Sequence, residues 1–134
     1  MSENTREEGV MFPTFNFQDA EGAISWLVKA FGFEKGMVVT SAGDRNIAHA
    51  ELRLGNGWIM LGSFGEEQPG NPWPTAKQGL YVYVEDVDAH YQRAKAAGAD
   101  IFIDIRDTDY GSREYCARDL EGNLWSFGSY RPKA

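Results

Sequence analysis

Two histidines and one cysteine are the imidazoles and thiol of this 134-residue chain, so His49, His90 and Cys116 are the first residues to weigh for metal or nucleophile chemistry. His49 lies in residues 47–54, "IAHAELRL", which alternate as a strand does. Ala48, Ala50, Leu52 and Leu54 take one face, and Ile47, His49, Glu51 and Arg53 the other. His49 and Glu51, two apart on one face, can share a metal ion. Two ligands bind weakly, however, and Arg53 beside them repels a cation. The same row reads as a polar rim whose members satisfy one another, or as cleft residues touching an organic ligand. His90 stands one place before Tyr91 on the buried stripe of a helix, and is expected at the surface or helix edge. Cys116, between Tyr115 and Ala117 with no histidine adjoining it, reads as a small buried residue rather than a nucleophile. The acidic run 104–110, "DIRDTDY", lacks the spacing of a calcium loop, because Gly111 falls one place early.

The elements that must position these groups come in two copies. "GNGWIMLGSF" at 55–64 and "EGNLWSFGSY" at 121–130 repeat one phrase, and matching Leu61 to Phe127 sets an offset of 66 residues. That offset carries Gly32 onto Gly98, and each of these glycines ends a helical pattern. In the first, Asp19 is the cap and Ala20, Ala23, Ile24, Leu27, Val28 and Phe31 form the apolar stripe. In the second, Asp86 is the cap and Val87, Tyr91, Ala94 and Ala97 form the stripe. Strand patterns precede the helices at 11–17 and 80–85 and follow them at 36–42, 47–54, 58–64, 101–106, 113–118 and 124–130. The expected fold is therefore α+β, one domain of two βαβββ modules at 10–64 and 80–131, joined by a Pro- and Gly-rich linker at 65–79 and preceded by a polar tail at 1–9. The glycines at 55, 57 and 122 flank no strand-to-helix step and read as hairpin turns, not phosphate cradles.

Composition removes whole classes of function. Thirteen basic against twenty acidic residues leave a net charge of −7 with no basic cluster, which repels nucleic acid and favours cationic or neutral ligands. One cysteine permits no internal disulfide, and no run reaches the roughly 18 apolar residues of a membrane span. The polar start, "MSENTREEG", lacks the apolar core of a signal peptide, so the expected compartment is the cytoplasm.

In "DAEGAISWLVKAFGF" at 19–33, "HAELRLGNGWIMLGS" at 49–63 and "YGSREYCARDLEGNLWSFGSY" at 110–130, the chain resembles the vicinal oxygen chelate superfamily of glyoxalase I, fosfomycin- and bleomycin-resistance proteins and extradiol dioxygenases. The resemblance implies that each module curls its sheet into half of an incomplete barrel around a ligand cleft, often with a divalent metal held by His and Glu. The positions carried over are Phe12, Met60, Leu80 and Ser126, none an ordinary metal ligand. A two-residue slip, to Pro13 or Thr14, Trp58, Val82, Leu124 and Gly128, does no better. What the resemblance then implies is a metal-free, cofactor-free binder of the bleomycin-resistance kind, commonly a homodimer, taking a small planar or cationic molecule.

Phe12, Thr14, Trp58, Met60, Trp73 and Ser126 are expected near that ligand together with His49, Glu51 and Arg53. The 66-residue offset places Tyr115 opposite His49, hence inward, and Arg113 shares its face. It also sets Glu114 and Arg118 on the side under a helix, which charges do not suit; either that strand is an edge or its facing is reversed. The alternative activity is a glyoxalase-like lyase or isomerase, or a dioxygenase, either with a metal at an unrecognised position or metal-free; in the metal-free form Glu51 or His49 is the base and Arg53 or Arg113 the oxyanion partner.

Overall fold

A computed structural model describes residues 9, 11–41, 46–63 and 69–132. Residues 1–8 of the expected tail, two expected strand ends at 42 and 64, and linker residues 65–68 lie outside the described residues. The order is β1 (Thr14–Phe17), α1 (Ala20–Phe31), β2 (Glu34–Thr40), β3 (Ile47–Leu54), β4 (Gly57–Ser63), a single 3-10 turn (Trp73–Thr75), β5 (Gly79–Tyr83), α2 (Val87–Ala96), β6 (Asp100–Asp107), β7 (Arg113–Arg118) and β8 (Leu124–Gly128). Each module forms its own four-stranded mixed sheet, β1-β4-β3-β2 and β5-β8-β7-β6, and neither sheet closes. This is the α+β architecture that the repeat predicts. The first strand of the first module is shorter than expected, and Pro13 just before it enters the pairing only as an acceptor, its carbonyl taking the Met60 N–H at 2.9 Å.

The helices start and stop where their caps dictate. Asp19 accepts the Gly22 N–H at 3.0 Å and Asp86 accepts the Ala89 N–H at 3.0 Å. Gly32 and Gly98 follow at φ 86° and 85°, a left-handed conformation that side chains resist. Both helices press their stripes onto one shared core. Trp125 of β8 stacks on Phe15 of β1 at 5.1 Å and meets Phe31 at the end of α1 at 5.3 Å, while Phe31 also meets Phe127 at 4.7 Å. Each such ring pair contributes about 0.5–1.5 kcal/mol beyond the area it buries. Since these pairs join residues of different modules, neither module buries its apolar face alone.

A polar clasp reinforces this joint. The buried Asp119 carboxylate accepts the backbone N–H groups of Glu121 (2.9 Å) and Asn123 (3.0 Å), the Asn123 amide (3.0 Å) and the Trp125 indole N–H (3.0 Å). That network fixes the β7–β8 turn. Glu121 then accepts the N–H groups of Gln18 (2.7 Å) and Asp19 (2.8 Å) at the start of α1, where negative charge is favoured. From the other side, the Gln78 N–H donates to the Asn123 side chain at 2.9 Å and its amide to the Thr14 carbonyl at 2.8 Å. Replacing Asp119 with Ala orphans several buried donors, so urea unfolding should show a loss of about 3 kcal/mol or more. A loss below about 1 kcal/mol would contradict the clasp.

Candidate functional site

The face of each sheet away from the helices is open, and register decides which side chains it carries. On β3, Ala50 and Leu52 are buried beneath the helices while His49, Glu51 and Arg53 lie on the open face, as the alternation predicts. The alternation breaks at the strand's start, where Ile47 is buried and Ala48 exposed. There the β2–β3 pairing skips a residue between Val39–His49 and Thr40–Ile47, and this bulge turns Ile47 inward. His49 Nε2 lies 2.9 Å from Glu51, and Arg53 pairs with Glu34 while lying 5.8 Å from the Trp58 ring centroid. Thr14, Met60 and Glu51 form one row across β1, β4 and β3. The Trp58 ring lies over Gly36, where any Cβ would come within 3.2 Å of it.

The second module does not follow the 66-residue offset. Eleven residues separate Ala50 from its partner Leu61, but twelve separate Tyr115 from Phe127. The extra residue sits in the Asp119-organised turn, and because side chains alternate, it flips all of β7. Tyr115, expected in the cleft, is instead fully buried on the helix side, and Arg113 beside it binds Asp88 of α2 at 3.1 Å and Asp107 at 3.0 Å. Glu114, Cys116 and Arg118 take the open face, so the reversed facing holds for this strand. β5 is offset as well: Thr14 pairs with Met60, but Tyr81, not Leu80, pairs with Ser126. Leu80 and Val82 pack against the core, and the open face carries Tyr81 and Tyr83.

Between the modules opens a cavity of 730 Å³. One wall is the β3–β4 hairpin with Trp58, together with Met11 and Pro13; the other is β5 with Tyr81 and Tyr83, followed by Glu85 and by Arg131. Its volume falls within the range that holds a drug-sized ligand. Of the expected site residues, Trp58 lines this cavity. Thr14, His49, Glu51, Arg53, Met60 and Ser126 lie on the open faces beside it, Phe12 precedes β1, and Trp73 lies on the connecting turn with its carbonyl bonded to Asn16 at 3.0 Å. Tyr81, Tyr83 and Arg131 are missing from the expected set. The sequence did hold a signal for the tyrosines, since in 80–84, "LYVYV", aliphatic residues alternate with aromatic ones.

Behind Tyr81 lies a second feature of the open face. Glu114 is 8% exposed, and the Tyr110 hydroxyl donates to both its oxygens at 2.9 Å. Tyr81 and Glu114 meet over Gly128, where a Cβ would stand 2.6 Å from Glu114 Cγ and 2.7 Å from the Tyr81 oxygen. Burial, aided by the nearby Glu114 charge, raises the pKa of Tyr81, which stays a phenol and donates to the Tyr130 carbonyl at 2.5 Å.

A family model described as the Glyoxalase/Bleomycin resistance protein/Dioxygenase superfamily matches residues 12–127. The chain belongs to this superfamily. An uncharacterized protein of Mycobacterium bovis is 34% identical over 128 residues, covering 90% of this chain and 83% of that protein. Among solved structures, TioX from Micromonospora sp. ML1 is 35% identical with a TM-score of 0.79, covering 92% of this chain and 99% of that one. The fosfomycin resistance protein FosX of Listeria monocytogenes, solved with manganese(II) and 1S,2S-dihydroxypropylphosphonic acid, shares the fold at 16% identity and a TM-score of 0.66, covering 93% of this chain and 94% of that one.

A divalent metal of the family's kind does not fit the side chains present. The central row offers Thr14, Met60 and Glu51 in one module and Tyr81, Ser126 and Cys116 in the other, so one carboxylate and one thiol stand among hydroxyls, a thioether and a phenol. Among the described residues no three His, Cys, Asp or Glu side chains gather where they could hold an ion.

His90, expected at the surface or helix edge, lies at the edge of the buried stripe. It is half-buried against Phe127, at 4.3 Å between centroids, with Nε2 2.9 Å from the Phe31 carbonyl and Nδ1 2.6 Å from the Tyr115 hydroxyl. A carbonyl only accepts, so Nε2 carries the proton and neutral Nδ1 accepts from Tyr115. Burial lowers the His90 pKa, and Arg93 adds to the effect against the Phe31 bond. A histidine whose folded pKa is depressed contributes stability above its unfolded pKa, about 6.5, and loses it as pH falls. Urea unfolding from pH 8 to pH 5 should therefore show a steeper loss for the wild type than for His90→Gln. Parallel curves would contradict this.

Proposed function

We propose that the protein binds a small planar or cationic organic molecule without a metal, holding it in the cavity between the modules. The observation that carries this reading is the cavity itself, lined by Trp58 on one wall and Tyr81 and Tyr83 on the other, in a family member where no three metal-donor side chains gather among the described residues. Flat rings offer stacking to any planar ligand and about 0.5–2 kcal/mol to a cation over a ring face. The net charge of −7 adds a weak long-range preference for neutral or positive molecules. The Listeria FosX structure, which holds manganese(II) and a small phosphonic acid, supports only that this fold can contain a small organic molecule. That is an argument by analogy, since one fold hosts many functions. Binding without turnover is sequestration, and the reading ends there.

Trp58 is the one tryptophan in the cavity lining, so it serves as both wall and reporter. Titrating the protein with neutral and cationic naphthalene, quinoline and acridine compounds should produce saturable one-to-one changes in tryptophan fluorescence. Trp58→Leu should weaken binding by about 1–2 kcal/mol, roughly 5- to 30-fold, while preserving the fold. Fluorescence that stays unchanged across the whole panel would contradict the reading.

A further inference from the structure

Of the arginines in or beside the sheets, Arg106 and Arg131 have no ion pair to a described residue, and Arg131 is the one in the cavity lining. Arg53, Arg113 and Arg118 are each paired with a carboxylate. Arg131 makes no hydrogen bond or ion pair to another described residue; its guanidinium lies 4.0 Å from the centroid of the Tyr83 ring, inside the cavity lining. Stacking occupies the face of a guanidinium and leaves its in-plane N–H donors available for a planar two-oxygen acceptor.

The placement is also built. The Tyr130 carbonyl accepts from Tyr81 at 2.5 Å and the Tyr130 N–H donates to Ser112 at 3.1 Å, so the backbone before Arg131 is held on both sides. Pro132 follows and confines Arg131 to extended conformations. A side chain that follows a tethered residue, is restricted by the next proline and lies on a ring loses less freedom on binding than an untethered one.

From this we infer that Arg131 is the oxyanion anchor of the cavity, and that the molecule held there is a planar aromatic carrying one carboxylate, its ring against Trp58 and its oxygens on the Arg131 fork. This rests on the reading above and narrows it to the planar class. The net charge of −7 does not decide the matter, because exposed charges beyond about 8 Å are largely screened at physiological salt, while Arg131 acts at contact. Glu85, the acidic residue in the same lining, is exposed to solvent at the rim and opposes a second negative charge, which favours a monoanion.

The test is calorimetric titration with 2-naphthoate, 2-naphthalenemethanol and 2-naphthylmethylammonium, which share a ring system and differ in charge. The wild type should bind naphthoate at least tenfold more tightly than the alcohol. Arg131→Ala should remove that preference, and Arg131→Lys, which keeps the charge without the planar fork, should restore only part of it. Ammonium or alcohol binding as tight as naphthoate would overturn the inference and leave the planar-ligand reading standing. An unchanged naphthoate affinity in Arg131→Ala would also overturn it. Failure of all three probes to bind would overturn both.

Discussion

The rest of the structure depends on Trp125. Its ring lies between Phe15 of the first module and Phe31 at the end of α1, and its indole N–H is held by the buried Asp119 carboxylate. One residue thus joins the apolar core to the polar clasp. Because the helix-facing sides of both sheets are consumed in this shared core, the open faces and the gap between modules are what remain for a ligand. The two halves are fastened beside the cavity by the Gln78–Thr14 bond, next to Pro13 and Leu80 of its lining.

Much of this was legible in the amino-acid pattern. The aspartate caps, the apolar stripes and the glycine stops mark both helices within a residue or two, and the repeated phrase at β4 and β8 marks the duplication. The facing of strands was less legible, because it turns on single residues. A one-residue difference in the β7–β8 turn moved Tyr115 and Arg113 from the expected cleft to the helix side, and a second one brought Tyr81 to the open face in place of Leu80. A repeat read at one constant offset cannot register such changes. Charge held a clue, since Glu114 and Arg118 do not suit a face beneath a helix, and the reversed facing satisfies both.

The site was legible only in part. Trp58 and the open-face row of His49, Glu51 and Arg53 follow from local alternation, which needs no knowledge of the other module. Arg131 and Tyr83 meet only in three dimensions, across 48 residues of sequence, and no pattern in either segment announces the pair. The partners of His90 were illegible for a related reason. Its neighbours, the Phe31 carbonyl and the Tyr115 hydroxyl, come from a different helix and a strand whose facing had been reversed.

In the proposed function the aromatic cavity works without a metal, since the central rows hold one carboxylate, Glu51, beside Thr14 and Met60, and one thiol, Cys116, beside Tyr81 and Ser126. Calorimetric titration of chelator-stripped protein with nickel, zinc, manganese and iron(II) at neutral pH tests this directly. The account predicts no one-to-one binding in the micromolar range. A stoichiometric site of micromolar affinity or tighter, about −8 kcal/mol or better, would contradict it and make His49 and Glu51 the first ligands to examine.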